Sequence, residues 1–387
     1  MKENPHFTYP LPAEAGLEVG RLSRIFDNKS ECYKLFWFQA ILETVCEGQT
    51  EITFDELINQ MVADAWYMVS EYRLNLGPSD QLEALVHYIY DNTELKSTEK
   101  RETILRFLET AGKEKKTDRE GNDLGKEISR RKQILSRNVP YRLQAPFLDG
   151  LKGKAWNIPA EKLAQTINCQ ERLMYYFLGI NGLASAIRIT PQWQTYLTAN
   201  QEILRGWIQF NMVSYLQRRN PNVPGIINKL QPPQERKLEK VKRFWAAVSE
   251  VTPVRDIYAD EPMQGKGMSI DHFVPWSYVA HDELWNLSPT TKSANSSKGS
   301  CLPDWNVYFP KLREVQYQAY TAAQQFDGVH ALFESCRKEH VNSDEVWMKL
   351  YRPALTEESF YQNLEEILLP VWQSARSLGF REWRYHD

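Results

Sequence analysis

The sequence predicts a mainly α-helical protein carrying one small α+β insert embedded between helical regions. Three observations predict it. Apolar residues recur at i, i+3 and i+4 over most of positions 30–250, the helical period stops beyond Pro253 in a Gly- and Pro-rich stretch, and it resumes at Lys311. The 387 residues suffice for two or three domains, and 42% hydrophobic with 25% charged residues is the balance of a soluble globular chain with a real core.

The elements follow in order. Ser30 is placed to cap the run CYKLFWFQAILETVCEG, which is apolar almost all round and so suits a buried central helix. Thr53 and Glu56 form a T-x-x-E capping box ahead of a stripe from Phe54 to Val69. SDQLEALVHYIYDN and STEKRETILRFLETAG read as two further helices, and the charged, Gly-punctuated segment 111–133 as an exposed loop or solvated helix. Pro159 suits the first turn of a helix running to about Leu178. TPQWQTYLTANQEILRGWIQFNMVSYLQRR and QERKLEKVKRFWAAVSEV are helical, separated by the Pro-rich joint 220–234. After the insert, KLREVQYQAYTAAQQF and TEESFYQNLEEILLPVWQSARSLG restore the helical pattern.

Composition bounds the function. No run of about 18 apolar residues exists, and the N-terminus lacks the apolar core of a secretory signal, so no membrane role is expected. The five cysteines are scattered, odd in number and never spaced as CxxC, which argues against a disulfide framework or zinc ribbon and for a reducing cytoplasm. A net charge of −3 discourages nucleic-acid binding taken alone, but the charge is sorted. Nine Lys/Arg face two acids between Arg205 and Arg243, and ten face five between Lys113 and Arg142, while the C-terminal part leans acidic. Such stretches form either one basic face or ordinary solvated helix surfaces.

Two phosphate-loop lookalikes fail. GNDLGK at 121–126 is one residue short and lacks the following Ser/Thr, and Gly265-Lys266-Gly267 has no third glycine and no βαβ setting. The segment 269–304 holds together. A short apolar strand, Met268 to Ile270, delivers Asp271-His272. A loop with Val274-Pro275 and Ser277 follows, then a strand opening at Asn286-Leu287, then a short helix carrying Asn295 with Lys298-Gly299 just beyond.

In residue pattern and in strand, loop, strand, helix order, this segment resembles the ββα-metal module of the HNH endonucleases. The resemblance implies a phosphodiester-cleaving enzyme with His272 as general base, Asp271 and Asn295 as metal ligands, and Asn286 as the residue that ties the loop and fixes the histidine. A histidine with an unperturbed pKa near 6.5 is neutral and competent as a base near pH 7. A hard cation takes oxygen from a carboxylate and an amide, so Mg²⁺ is the expected ion and Mn²⁺ its substitute. Adjacent strand residues point to opposite faces, so the chain is expected to turn at Asp271-His272 for both to reach one site.

The resemblance covers only the insert, and the domain division expected is 1–250 for targeting, partner or DNA positioning, 251–310 for the nuclease, and 311–387 packing on it. Without a zinc ribbon the insert must borrow stability from its flanking helices. Lys298 is either a phosphate-neutralising side chain or an exposed lysine, and Arg218, Arg219, Lys240, Lys242 and Arg243 are the candidate DNA contacts outside the insert. His87 is read as a core or partly buried residue and His281 as loop surface; His330, His340 and His386 receive no role. Proteins of this build resemble those of phage defence and mobile elements, with DNA as substrate and a partner protein or homodimer formed through the helices. An RNA target, or a binding scaffold with an inactive HNH fold, are the alternatives.

Overall fold

Thr53 does what its sequence position promises. Its hydroxyl accepts from the Glu56 amide at 3.2 Å, and the Glu56 carboxylate accepts from the Thr53 amide at 2.7 Å, starting the helix Phe54–Trp66. The computed structural model describes residues 11–27, 32–113, 116–231, 238–263, 267–338 and 343–385. Ser30, His340 and His386, together with Gly265 and Lys266 of the rejected glycine motif, lie outside the described residues.

The chain divides into two units, Met1–Pro221 with Lys229–Pro233, and Asn222–Asn228 with Gln234–Asp387. In the first, the apolar run forms the helix Tyr33–Cys46, buried along nearly its whole length from Leu35 to Val45. Gln81–Asn92 is capped by Asp80, and Leu124–Leu135 by Asp123. Two expectations need correction. The helix begun after Pro159 stops at Asn168, and Tyr175–Gly179 is a strand. The segment 190–219 is two helices, Pro191–Ala199 and Gln201–Arg219, broken at Asn200.

This unit therefore holds a small antiparallel sheet of order β1-β3-β2, with β1 Glu51–Thr53, β2 Tyr175–Gly179 and β3 Ala186–Ile189. Ile52 pairs with Ile187 and Tyr175 with Ile189.

The second unit holds β4 Val254–Arg255 paired with β5 Pro262–Met263, and β6 Ser269–His272 paired antiparallel with β7 Leu287–Thr290. The helix Lys292–Lys298 follows directly. β8 Leu302–Pro303 and β9 Glu382–Trp383 make a parallel pair that joins the insert to the C-terminal segment.

The expected boundary at residue 250 is not where the structure divides. The helix Glu239–Val251 puts Val241, Phe244, Trp245 and Val248 into the same core as Phe273, Val274 and Leu287 of the insert and Leu312, Leu364 and Leu368 of the C-terminal helices. The reason is area: a hairpin with one short helix has too little apolar surface to stand alone, and each buried Leu, Val or Phe contributes roughly 1.5–3 kcal/mol. Helix Trp305–Gln325 adds a polar tether, since Gln316 Nε2 donates to the Leu284 carbonyl at 2.9 Å and to that of Leu287 at 2.7 Å.

Candidate active site

The hairpin register places the chemistry. Ser269 pairs with Thr290, Ile270 with Pro289, Asp271 with Ser288 and His272 with Leu287. The ladder therefore runs straight through Asp271 and His272, and the turn expected between them comes after His272 instead. There Asn286 closes the loop. It is fully buried, its Oδ1 accepts from the Val274 amide at 2.8 Å, and its Nδ2 donates to the Val274 carbonyl at 2.9 Å. The Phe273 amide also donates to the Asn286 carbonyl at 2.8 Å. An asparagine suits this position because its short amide supplies a donor and an acceptor side by side to one backbone residue.

Because the ladder is regular, Asp271 and His272 face opposite ways. His272 Nε2 lies 2.7 Å from Asp282 Oδ1, and the ring is almost completely buried. A carboxylate at Nε2 fixes the orientation of the ring. Asp271 is buried on the other face, where its Oδ2 accepts from the Tyr258 hydroxyl at 2.7 Å. Burial, and then the neighbouring Asp271 charge, raise the Tyr258 phenol well above its ordinary value, so it remains a donor.

The helix Lys292–Lys298 lies on the Asp271 face. Thr291 caps it by accepting from the Ala294 amide, and Asp256 braces the junction, its Oδ2 accepting from the Thr290 hydroxyl at 2.8 Å and the Thr291 amide at 2.7 Å. One helical turn separates Asn295 from Lys298, so both point at β6. Asn295 Nδ2 donates to Ser269 Oγ at 2.6 Å and sits 3.4 Å from the Ile270 carbonyl, which turns its Oδ1 to the other side of the amide. Gly299 ends the helix at φ 51°, a region that favours glycine.

Lys298 differs most from expectation. It is neither an exposed lysine nor a side chain reaching into solvent for a phosphate: it is 1% exposed, with Nζ 3.1 Å from Asp271 Oδ2, 3.2 Å from Oδ1 and 2.7 Å from the His272 carbonyl. The stem is long enough to cross from the helix to the strand, and burial is tolerated because the charge is paired and hydrogen-bonded.

Residues 255–304 match the family model described as HNH endonuclease. This segment is an HNH endonuclease module. No curated protein and no solved structure matches the chain. The match begins at Arg255 and so takes in Asp256 and Tyr258, two residues of the HNH module that the sequence pattern does not single out, as it does not single out Asp282. Asp282 carried a faint signal, a carboxylate in the loop after the candidate base. Asp256 and Tyr258 carried none, because they reach the site only through the fold.

HNH nucleases work with a divalent metal, and the donors here fit one. Among the described residues no three His, Cys, Asp or Glu side chains converge on a point. A carboxylate from Asp271 and an amide oxygen from Asn295 still suit a hard cation that keeps most of its shell for water and phosphate oxygens.

The proposed DNA-contacting side chains do not sit on one unit. Arg218 and Arg219 end the helix Gln201–Arg219 of the first unit, whereas Lys240, Lys242 and Arg243 are exposed on Glu239–Val251 of the second. Much of the other basic sequence is consumed internally: Lys132 is buried against Asp55, Arg130 and Arg131 pair with Glu127, and Arg205 pairs with Glu43. His87, read as core or partly buried, is exposed on the helix Gln81–Asn92, 3.9 Å from Glu83. His281 is half-buried, its ring 5.5 Å from that of Trp285, and His330 is exposed, with Nδ1 3.2 Å from the Ala323 carbonyl. No helix of the described residues is long and apolar enough to cross a membrane.

Proposed function

We propose that this chain is a metal-dependent endonuclease that hydrolyses phosphodiester bonds in DNA. One observation carries the reading: the helix Lys292–Lys298 sets Asn295 and Lys298 against the strand bearing Asp271, while the next residue on that strand, His272, is held by a carboxylate. In this reading His272, on the face of β6 opposite Asp271, is the general base that takes a proton from the attacking water. The scissile phosphate therefore has to sit at the end of that strand, where the loop begins and both faces are within reach. Asp282 keeps the ring in the useful orientation. Asp271 and Asn295 hold Mg²⁺, or Mn²⁺ in its place, which when bound neutralises charge on the phosphate oxygens. Asn286 acts on the loop, and through it on the ring, without touching substrate. The five cysteines are free thiols, which suits a cytoplasmic enzyme, and the resemblance supports a reading as an enzyme of phage defence or a mobile element. A single HNH site cuts one strand, so a double-strand break requires a homodimer or two encounters.

The substrate is tested by offering supercoiled plasmid and an RNA of matching sequence to the purified chain with Mg²⁺. Nicked circles from the plasmid are expected. Cleavage of RNA alone would move the substrate to RNA, and binding without cleavage of either would make the module a scaffold.

A further inference from the structure

Lys298 has no place among the reacting groups of the proposed mechanism, yet it is among the most deeply buried charged side chains of the protein. Its ammonium lies within 3.2 Å of both Asp271 oxygens and donates to the His272 carbonyl at 2.7 Å. The Tyr258 hydroxyl takes a further lone pair of Asp271. The acceptor capacity of that carboxylate is thus directed at a cation the chain itself supplies.

We infer that Lys298 is a built-in counter-ion to Asp271, and that Lys298 and a divalent ion compete for that carboxylate. The inference rests on the reading of Asp271 as a metal ligand. Its physical basis is direct. A buried carboxylate without a counter-charge is strongly unfavourable, and Asp271, itself buried, has that counter-charge in Lys298. Two cations cannot share one carboxylate in a low-dielectric interior without repulsion, so the lysine lowers metal affinity while keeping the buried carboxylate paired. The His272 carbonyl, 2.7 Å from Nζ, gives the ammonium an anchor that does not depend on Asp271. Once its bond to the carboxylate breaks, the charge is available to a phosphate oxygen, so metal loading and substrate engagement become coupled. The phosphate-neutralising role expected of Lys298 would then belong to the metal-loaded state.

The test is Mn²⁺ binding to the full chain, followed by electron paramagnetic resonance of the free ion and by thermal unfolding with and without Mn²⁺. Four proteins are compared: wild type, Lys298→Met, Lys298→Gln and Asp271→Asn. Lys298→Gln removes the charge but keeps an amide donor for the His272 carbonyl, so it serves where Lys298→Met does not fold. Either lysine variant should bind Mn²⁺ at least about tenfold more tightly than wild type, melt lower without the ion, and show the larger rise in Tm when it is added. Asp271→Asn should lose the binding. If the lysine variants bind no more tightly while Asp271→Asn loses the ion, the counter-ion role is wrong and the metal-ligand reading stands. If Asp271→Asn binds Mn²⁺ like wild type, the metal-ligand reading itself is wrong.

Discussion

His272 and Asp282 face each other across the loop that joins the two hairpin strands, Nε2 to Oδ1 at 2.7 Å. The ring is buried and the carboxylate about one-third exposed, so the pair reaches solvent through the aspartate. Asp282→Ala should lower the single-turnover nicking rate at least about tenfold, and by no more than the 10²–10⁴-fold that a general base itself contributes. Asp282→Asn should keep part of that rate, because its carbonyl still accepts from Nε2–H. Equal rates for wild type and Asp282→Ala would remove the aspartate from the site.

Asn286 is a matter of stability before chemistry. Removing its amide strands the Val274 amide and carbonyl in a fully buried setting. Each such group costs about 1–3 kcal/mol, so Asn286→Ala should lose about 2–6 kcal/mol in urea unfolding, read on the cooperative transition of the full chain. A loss under about 0.5 kcal/mol would mean that the loop is held by other means.

The two sets of cationic side chains make separable predictions. Neutralising one cation that pairs with a phosphate should flatten the plot of log affinity against log salt by about 0.9. Neutralising Lys240, Lys242 and Arg243, which share a unit with the nuclease module, should reduce the slope by about 2 to 3. Lys242 also lies 2.9 Å from Glu239, an exposed pair expected to yield readily to a phosphate. Neutralising Arg218 and Arg219 should remove about 2 more if the first unit also binds DNA, and nothing if it serves only a partner protein. An unchanged slope for both sets would make these surfaces protein-facing.

Local signals were legible in the sequence and distant ones were not. The capping box of Thr53 and Glu56 spans three residues, and the structure contains it intact. The order of hairpin and helix from Ser269 to Lys298 was legible too, through the residue pattern that resembles the HNH module. The sheet in the first unit was not, since β1 has three residues and meets its partner β3 more than a hundred positions away. Lys298 misled for a general reason. Lysine is almost always exposed, and nothing in its neighbours announces that a carboxylate one strand away will draw it inside. The same holds for Asp256 and Tyr258, whose partners Thr290, Thr291 and Asp271 become neighbours only when the turn between β4 and β5 meets the β6–β7 hairpin.

The central claim is that strand cleavage depends on His272 and on a divalent ion. The most direct measurement follows supercoiled plasmid with Mg²⁺ over time for wild type and His272→Ala, with Tm measured on both and an EDTA control on the wild type. Wild type should convert supercoiled to nicked plasmid and stop in EDTA, while His272→Ala should be slower by about 10²- to 10⁴-fold and, having lost a buried ring, melt at a lower Tm in a transition still cooperative above the assay temperature. Nicking at the wild-type rate by His272→Ala, or full activity in EDTA, would contradict the account.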